Sequence, residues 1–374
     1  MSDVIIRSTG LWTPPHSISN AQLVESYNTY AARWNEEHAG EIERGEREAK
    51  QPSSVEFIEK ASGIKSRYAI DPDGILDASR LRPKVEPRPD DALCLMAEAG
   101  VVAVKDALDR VGLDGSDVDG VICSATSMQR TYPCVAIEIQ DAIGATGFGF
   151  DMSVACSSAT FALQQAVNAI RCGQANRIVV VTPEITTPQL NYTDRDSHFI
   201  FGDVAVAVIL ERADWGNPGW KILSTRLKTQ YSNNIRSNQG FLNRCEEPAR
   251  DEDEMLFVQN GRRVFKEVCP MVAEMILQHM GDCGLKPDDM KRLWLHQANS
   301  NMNRVIAQKV FGREYADAEA PTILDEFANT AGAGSVVCFH RHNDDFESGE
   351  KGLICSFGAG YSVGSIFVER RIAA

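Results

Sequence analysis

A chain of 374 residues with 43% hydrophobic side chains is long enough to bury a large core, in two domains or in one duplicated unit. Its formal net charge of −14 argues against nucleic acid and anionic membrane as partners, and an acidic partner needs a local basic patch. The 10 cysteines are scattered without a C-x-x-C pair, and Met1–Arg7 carries charge too early for a leader peptide, so reduced thiols in the cytoplasm are expected rather than a disulfide framework.

Along the chain, apolar strands alternate with amphipathic helices, the pattern of an α/β fold. Residues 25–54 read as a heavily charged helical addition. Residues 71–90 carry Pro72, Pro83, Pro87 and Pro89 and cannot form one regular element. A solvated face and a surface loop are the readings for these two segments. Gly112 to Ser127 reads as helix end, loop, strand and loop. Cys156 follows in Asp151-Met-Ser-Val-Ala-Cys156-Ser157-Ser158-Ala159-Thr160, with an apolar strand before it. Behind it Ala159, Ala162, Leu163, Ala166, Val167 and Ile170 recur at helical spacing. A thiol at a helix start feels the positive end of the helix dipole, which favours the thiolate, although a lone apolar-flanked cysteine is commonly structural.

Val204–Leu210 is an apolar run far short of a membrane span and suits a buried strand. Trp215–Gly219 is turn-rich, which places a boundary between a half at 1–215 and a half at 216–374. The second half repeats the order of the first. Gly284 to Ser300 has the layout of Gly112 to Ser127, and Phe357-Gly358 leads into a strand as Phe201-Gly202 does. A duplicated α/β unit with a mixed sheet in each half is expected. His296 stands at the end of the apolar strand Leu293–Leu295, where side chains reach a cleft. Asn329 lies in a small-residue turn ahead of an apolar helix. Taken singly, His296 reads as a satisfied polar residue and Asn329 as a helix cap. His340-Arg341-His342-Asn343-Asp344-Asp345 fits no closed metal site and reads as a solvated loop.

Taken with Cys156, these residues resemble the thiolase-like condensing enzymes, and in particular β-ketoacyl-acyl-carrier-protein synthase III. The resemblance covers most of the chain. It rests on the Cys156 segment, His296-Gln-Ala-Asn299, Asn329-Thr-Ala-Gly-Ala-Gly-Ser335 and Phe357-Gly-Ala-Gly-Tyr-Ser-Val-Gly-Ser365. It extends to Ser62–Arg67, Thr193-Asp194-Arg195 and Val264-Phe265-Lys266. The resemblance implies a duplicated thiolase-like α/β fold, layered αβαβα with two mixed sheets, in a homodimer. It implies that Cys156 takes an acyl group from acyl-CoA or acyl-carrier protein, with the N–H groups of Cys156 and Gly360 as oxyanion hole. It implies that His296 and Asn329 then hydrogen-bond a malonyl thioester as CO2 leaves. No metal or cofactor is needed, because the thioester is the electron sink.

The same resemblance sets Phe57 and Arg195 at the Trp and Arg positions around coenzyme A adenine, where ring and guanidinium sandwich a base. Ala61 and Asn301 stand where the family has arginines. Tyr132 occupies the place of a Phe that enters the partner subunit's acyl pocket, and the extra helical segment at 25–54 makes a medium-chain or longer acyl primer the expectation. Lys266, with Arg262, Arg263, Arg304 and Lys309, forms a candidate patch for an acidic carrier protein. Asp203 matches a structural acid. Three other readings stand beside this one. A thiolase needs a second cysteine in the C-terminal glycine loop, where Ser356 stands. Acyl transfer to another acceptor or head-to-head acyl condensation, as in secondary metabolism, uses the same residues. A non-catalytic partner subunit typically lacks the nucleophile.

Overall fold

The computed structural model describes residues 3–372. Its strands are β1 (Val4–Trp12), β2 (Ser17–Ser19), β3 (Ser66–Tyr68), β4 (Gly120–Ser124), β5 (Phe148–Met152), β6 (Arg177–Glu184), β7 (Val204–Arg212), β8 (Gly219–Ser232), β9 (Ile235–Arg236), β10 (Val258–Gln259), β11 (Met290–Leu295), β12 (Lys351–Gly358) and β13 (Gly360–Arg371). The strands β2 with β3 and β9 with β10 form small separate ribbons.

The other strands make one sheet in the order β11-β12-β13-β8-β1-β7-β6-β4-β5. Within it a pairing pattern recurs. β1–β7 and β7–β6 are antiparallel and β6–β4 is parallel. In the second half β8–β13 and β13–β12 are antiparallel and β12–β11 is parallel. The two sheets expected from the sequence are therefore joined. The link is short, Ile5 to Lys221 and Ile6 to Trp220, where the first strands of the two halves lie side by side.

Alternation along these strands builds three core layers. The face carrying Ile122, Ile178, Val180, Val206 and Val208 packs on the helix Ser158–Arg171, together with Ile354, Ile366 and Val368 of the second half. The apolar face foreseen for that helix, Ala159 to Ile170, is buried there. The helix Gly334–Arg341 shares this central layer through Val336, Val337 and Phe339. The opposite strand faces meet the helices Leu95–Asp109 and Val135–Ile143 on one side. On the other side they meet Gly261–Asp282 and Ser300–Phe311. Helix, sheet, helix, sheet, helix is the layered arrangement expected.

The charged addition begins earlier than its charge pattern shows. Its helix starts at Asn20, where Ser19 and Gln22 form a capping box, and ends at Glu37, followed by Ala39–Glu43. One face is not solvated. Leu23, Tyr27 and Ala31 are buried, and the Tyr27 ring stacks on His198 at 4.8 Å. The proline-rich segment holds one short helix, Pro72–Leu76, and then runs exposed from Lys84 to Asp91. His340 belongs to the last turn of Gly334–Arg341 rather than to a loop, and its Nδ1 lies 2.8 Å from Thr9 Oγ1. Among the described residues no helix is long and apolar enough to cross a membrane.

Candidate active site

Cys156 sits in a tight turn between β5 and the helix Ser158–Arg171. The residue before it, Ala155, has φ of 46°, a left-handed conformation that costs an alanine on the order of 1–3 kcal/mol. Ser158 holds that turn closed. Its hydroxyl donates to Ala155 O at 2.7 Å and accepts from Val154 N–H at 2.8 Å. The glycine loop after β12 packs directly on the thiol. A Cβ at Gly358 would lie 2.6 Å from Cys156 Cβ and 3.0 Å from Sγ, so only glycine fits. Ser362 Oγ, 2.9 Å from Ser157 Oγ, ties β13 to the same turn.

His296 leaves the end of β11 with its N–H on Cys355 O at 2.8 Å, and its ring stands edge-on to Phe357. The rest of its motif is structural. Gln297 accepts from Ile323 N–H, and Asn299 caps the helix Ser300–Phe311 while donating to Ala61 O at 2.6 Å. Asn329 is not a helix cap. It lies between Ala328 and Ala331, both in the positive-φ region at 56° and 46°. Its backbone pairs with Ile200 O and Gly202 N–H. Its Oδ1 accepts from Ala331 N–H at 2.9 Å, which fixes the amide so that Nδ2 is the end left to donate.

Cys156, His296 and Asn329 line a single cavity of about 250 Å³. Its walls are largely apolar, with Phe199, Phe201, Phe257, Val268 and Met302 among them. The surroundings decide the charge states. Burial first, and the Glu184 carboxylate second, push the Cys156 thiol up to about 12, against the pull of the N–H groups of Ala359 and Cys156 itself. Burial pushes His296 down to about 3. Cys156 and His296 thus rest as neutral thiol and neutral imidazole. The standing thiolate expected from the helix dipole is overridden by the cost of holding an anion in this cavity. His296 Nδ1 is buried without a hydrogen-bond partner.

The remaining candidates are placed less centrally. Gly360, the second residue of the expected oxyanion hole, does not line the cavity, and the glycine-loop N–H that favours the Cys156 thiolate is that of Ala359. Phe57 and Arg195 meet each other. The guanidinium carbon is 3.9 Å from the ring centroid and Nε donates to Pro52 O at 2.7 Å. A base between them needs roughly twice the 3.5–4 Å carbon contact distance, so the expected sandwich is closed. Tyr132 is 82% exposed and lies outside the cavity lining. Lys266 is exposed on the helix Gly261–Asp282, whose Val264 and Phe265 do line the cavity. Arg262, Arg263, Arg304 and Lys309 are exposed on that helix and the next.

For a thiolase the second cysteine is missing. Ser356 is buried with Oγ 2.7 Å from Ser335 Oγ, and Cys355 points into the outer core. Residues 150–230 match the family model for 3-oxoacyl-[acyl-carrier-protein] synthase III, and residues 280–370 match the model for its C-terminal part. The β-ketodecanoyl-[acyl-carrier-protein] synthase of Pseudomonas aeruginosa is 51% identical over 349 residues, covering 93% of this chain and 100% of that one. The chain belongs to the β-ketoacyl-acyl-carrier-protein synthase III family. It is a condensing acyltransferase of fatty acid biosynthesis. The synthase III of Rubrobacter xylanophilus is 30% identical over 70% of this chain and 78% of its own. The fold agrees with solved members. The synthase III of Aquifex aeolicus gives a TM-score of 0.76 at 21% identity over 98% of this chain and 99% of that one. The priming β-ketosynthase of the R1128 polyketide pathway gives 0.78 at 21% identity over 100% and 98%.

Glu184 and Ala359 stand beside this site without a sequence signal that singles them out. Glu184 ends β6 and is fully enclosed; a lone acid after an apolar strand carries no signal of which loops will close around it.

Proposed function

We propose that this enzyme transfers a medium-chain acyl group from acyl-CoA or acyl-carrier protein to Cys156, then condenses it with malonyl-carrier protein to a 3-oxoacyl-carrier protein. The observation that carries this reading is the convergence of Cys156, His296 and Asn329, from three separate segments, on one largely apolar cavity. In the first step the sulfur attacks the thioester carbonyl, its proton passes to the departing thiol, and the oxyanion is held by the N–H groups of Cys156 and Ala359. In the second, the malonyl thioester carbonyl accepts hydrogen bonds from His296 and from Asn329 Nδ2. The C–C bond to the carboxylate breaks, CO2 leaves, and its electron pair becomes the enolate. Each such donor contributes about 3 kcal/mol when lost singly. The enolate carbon then attacks the acyl-Cys156 carbonyl, forming the C–C bond as the C–S bond breaks, and the departing cysteine sulfur takes a proton from solvent. The neutral state of His296 suits this role, since it donates without holding a competing charge.

The name of the relative supports the chain length. β-Ketodecanoyl names a ten-carbon product, and a malonyl unit supplies two of those carbons, so an eight-carbon primer is the expected donor chain. The exposed cations Arg262, Arg263, Lys266, Arg304 and Lys309, on the two helices whose Val264, Phe265 and Met302 line the cavity, suit an acidic carrier protein. A cytoplasmic homodimer is part of the reading. Strand β5 is a sheet edge with Phe150 exposed, and Tyr132 stands out nearby in sequence, free to reach a second copy. The halves are taken as 1–215 and 216–374, from the recurring strand pairings. Product analysis tests the function. Octanoyl thioester and malonyl-carrier protein should give 3-oxodecanoyl-carrier protein with wild-type enzyme and none with Cys156→Ala. Use of acetyl thioesters alone would contradict the chain length.

A further inference from the structure

Glu184 closes β6 and is 1% exposed, yet no step above uses it. Its Oε1 accepts three hydrogen bonds, from Thr126 N–H, Thr126 Oγ1 and Gly332 N–H, each 2.9 Å. Thr126 follows β4, and its carbonyl accepts from Ser153 Oγ at 3.0 Å, three residues before Cys156. Gly332 is three residues after Asn329. The packing at this point is close. A Cβ on Gly332 would sit 2.7 Å from Glu184 Oε1 and 3.3 Å from Ala155 O. A single carboxylate oxygen therefore marks the junction of the Cys156 turn, the Asn329 turn and the loop after β4.

The connection to Asn329 is direct along the backbone. Ala331 N–H donates to Asn329 Oδ1 at 2.9 Å and the next N–H, of Gly332, donates to Glu184. Both turns are strained, at Ala155 and at Ala328 and Ala331, and such backbone persists only where its surroundings over-determine it. Asp203, another buried carboxylate on this side of the sheet, serves a different place. It accepts from the N–H groups of Ile70, Thr186 and Thr187, none of which lines the cavity.

We propose that Glu184 is a positioning residue, holding the Asn329 turn against the Cys156 turn so that the Asn329 amide meets the malonyl carbonyl. The inference rests on the roles proposed above for Cys156 and Asn329. The two half-reactions separate it from a merely structural role. With Glu184→Ala, acylation of Cys156 by octanoyl thioester should stay within about threefold of wild type, while CO2 release from malonyl-carrier protein falls at least about thirtyfold in kcat with KM little changed. Glu184→Gln keeps an acceptor oxygen and should restore CO2 release to within about threefold. Gly332→Ala crowds the same contact without needing a new backbone angle, and should also lower CO2 release, its pressure on Ala155 O adding some slowing of acylation. Equal slowing of both half-reactions in Glu184→Ala, a Gln variant no better than Ala, or unimpaired CO2 release in Glu184→Ala and Gly332→Ala would overturn the inference alone. A wild-type enzyme that no acyl thioester acylates would overturn it together with the proposed function.

Discussion

Gly358 lies against Cys156 so closely that a methyl group in place of its hydrogen would overlap the cysteine's Cβ at 2.6 Å. The contact joins the glycine loop of one half to the nucleophile turn of the other. Gly358→Ala should therefore displace the sulfur while leaving the cores intact. Acylation of Cys156, followed by intact mass, should drop by at least about a hundredfold, with the far-ultraviolet dichroism spectrum unchanged. Normal acylation in that variant would refute the packing.

Asn329 is fixed at Oδ1, so its chemistry resides in Nδ2. Asn329→Asp keeps the accepted bond from Ala331 and puts an acceptor, negatively charged when ionised, where the donor was. Asn329→Asp, Asn329→Ala and His296→Ala should all still acylate Cys156, and CO2 release should fall by about 10² to 10³ in each. Condensation at the normal rate in any of the three would remove that residue from the enolate site.

With the thiol pushed up to about 12, Cys156 should show no plateau in reactivity near the usual range for cysteine. Alkylation by iodoacetamide should keep rising through pH 10. A plateau between pH 8 and 9 would show that the thiolate is far better stabilised than its surroundings indicate.

Glu184 makes stability depend on pH. Burial raises its carboxyl to about 8, above the ordinary value near 4.5. A group whose pKa is raised by folding stabilises fully below its unfolded value and loses that contribution as pH climbs to the folded one. The stability of wild type relative to Glu184→Gln should thus fall between about pH 4.5 and 8 and level off above. Buried histidines act in the opposite sense. His198, His279 and His340 are pushed down to about 4 and His296 to about 3, so their contribution is present above pH 6.5 and lost on acidification towards those values. Denaturant titrations across pH 4–9 check both slopes.

The nucleophile turn, the His296 strand end and the Asn329 turn were legible because each is a run of small or apolar residues around one polar side chain, a pattern that survives in a single sequence. The helix Ser158–Arg171 showed its buried face in its spacing alone. What the sequence could not show was geometry between segments. The joining of β1 to β8 is a short tertiary pairing, Ala359 differs from Gly360 only in which N–H turns inward, and the contact between Arg195 and Phe57 depends on rotamers. Charge states were illegible for the same reason. The dipole at the helix start is local, whereas the burial that keeps Cys156 protonated comes from loops of both halves.

The most direct measurement is the intact mass of the wild-type enzyme incubated with octanoyl thioester and then with malonyl-carrier protein. The account predicts a single octanoyl group on Cys156, absent in Cys156→Ala and discharged by malonyl-carrier protein with release of CO2. An unmodified protein, or an acyl group that malonyl-carrier protein cannot remove, would contradict it.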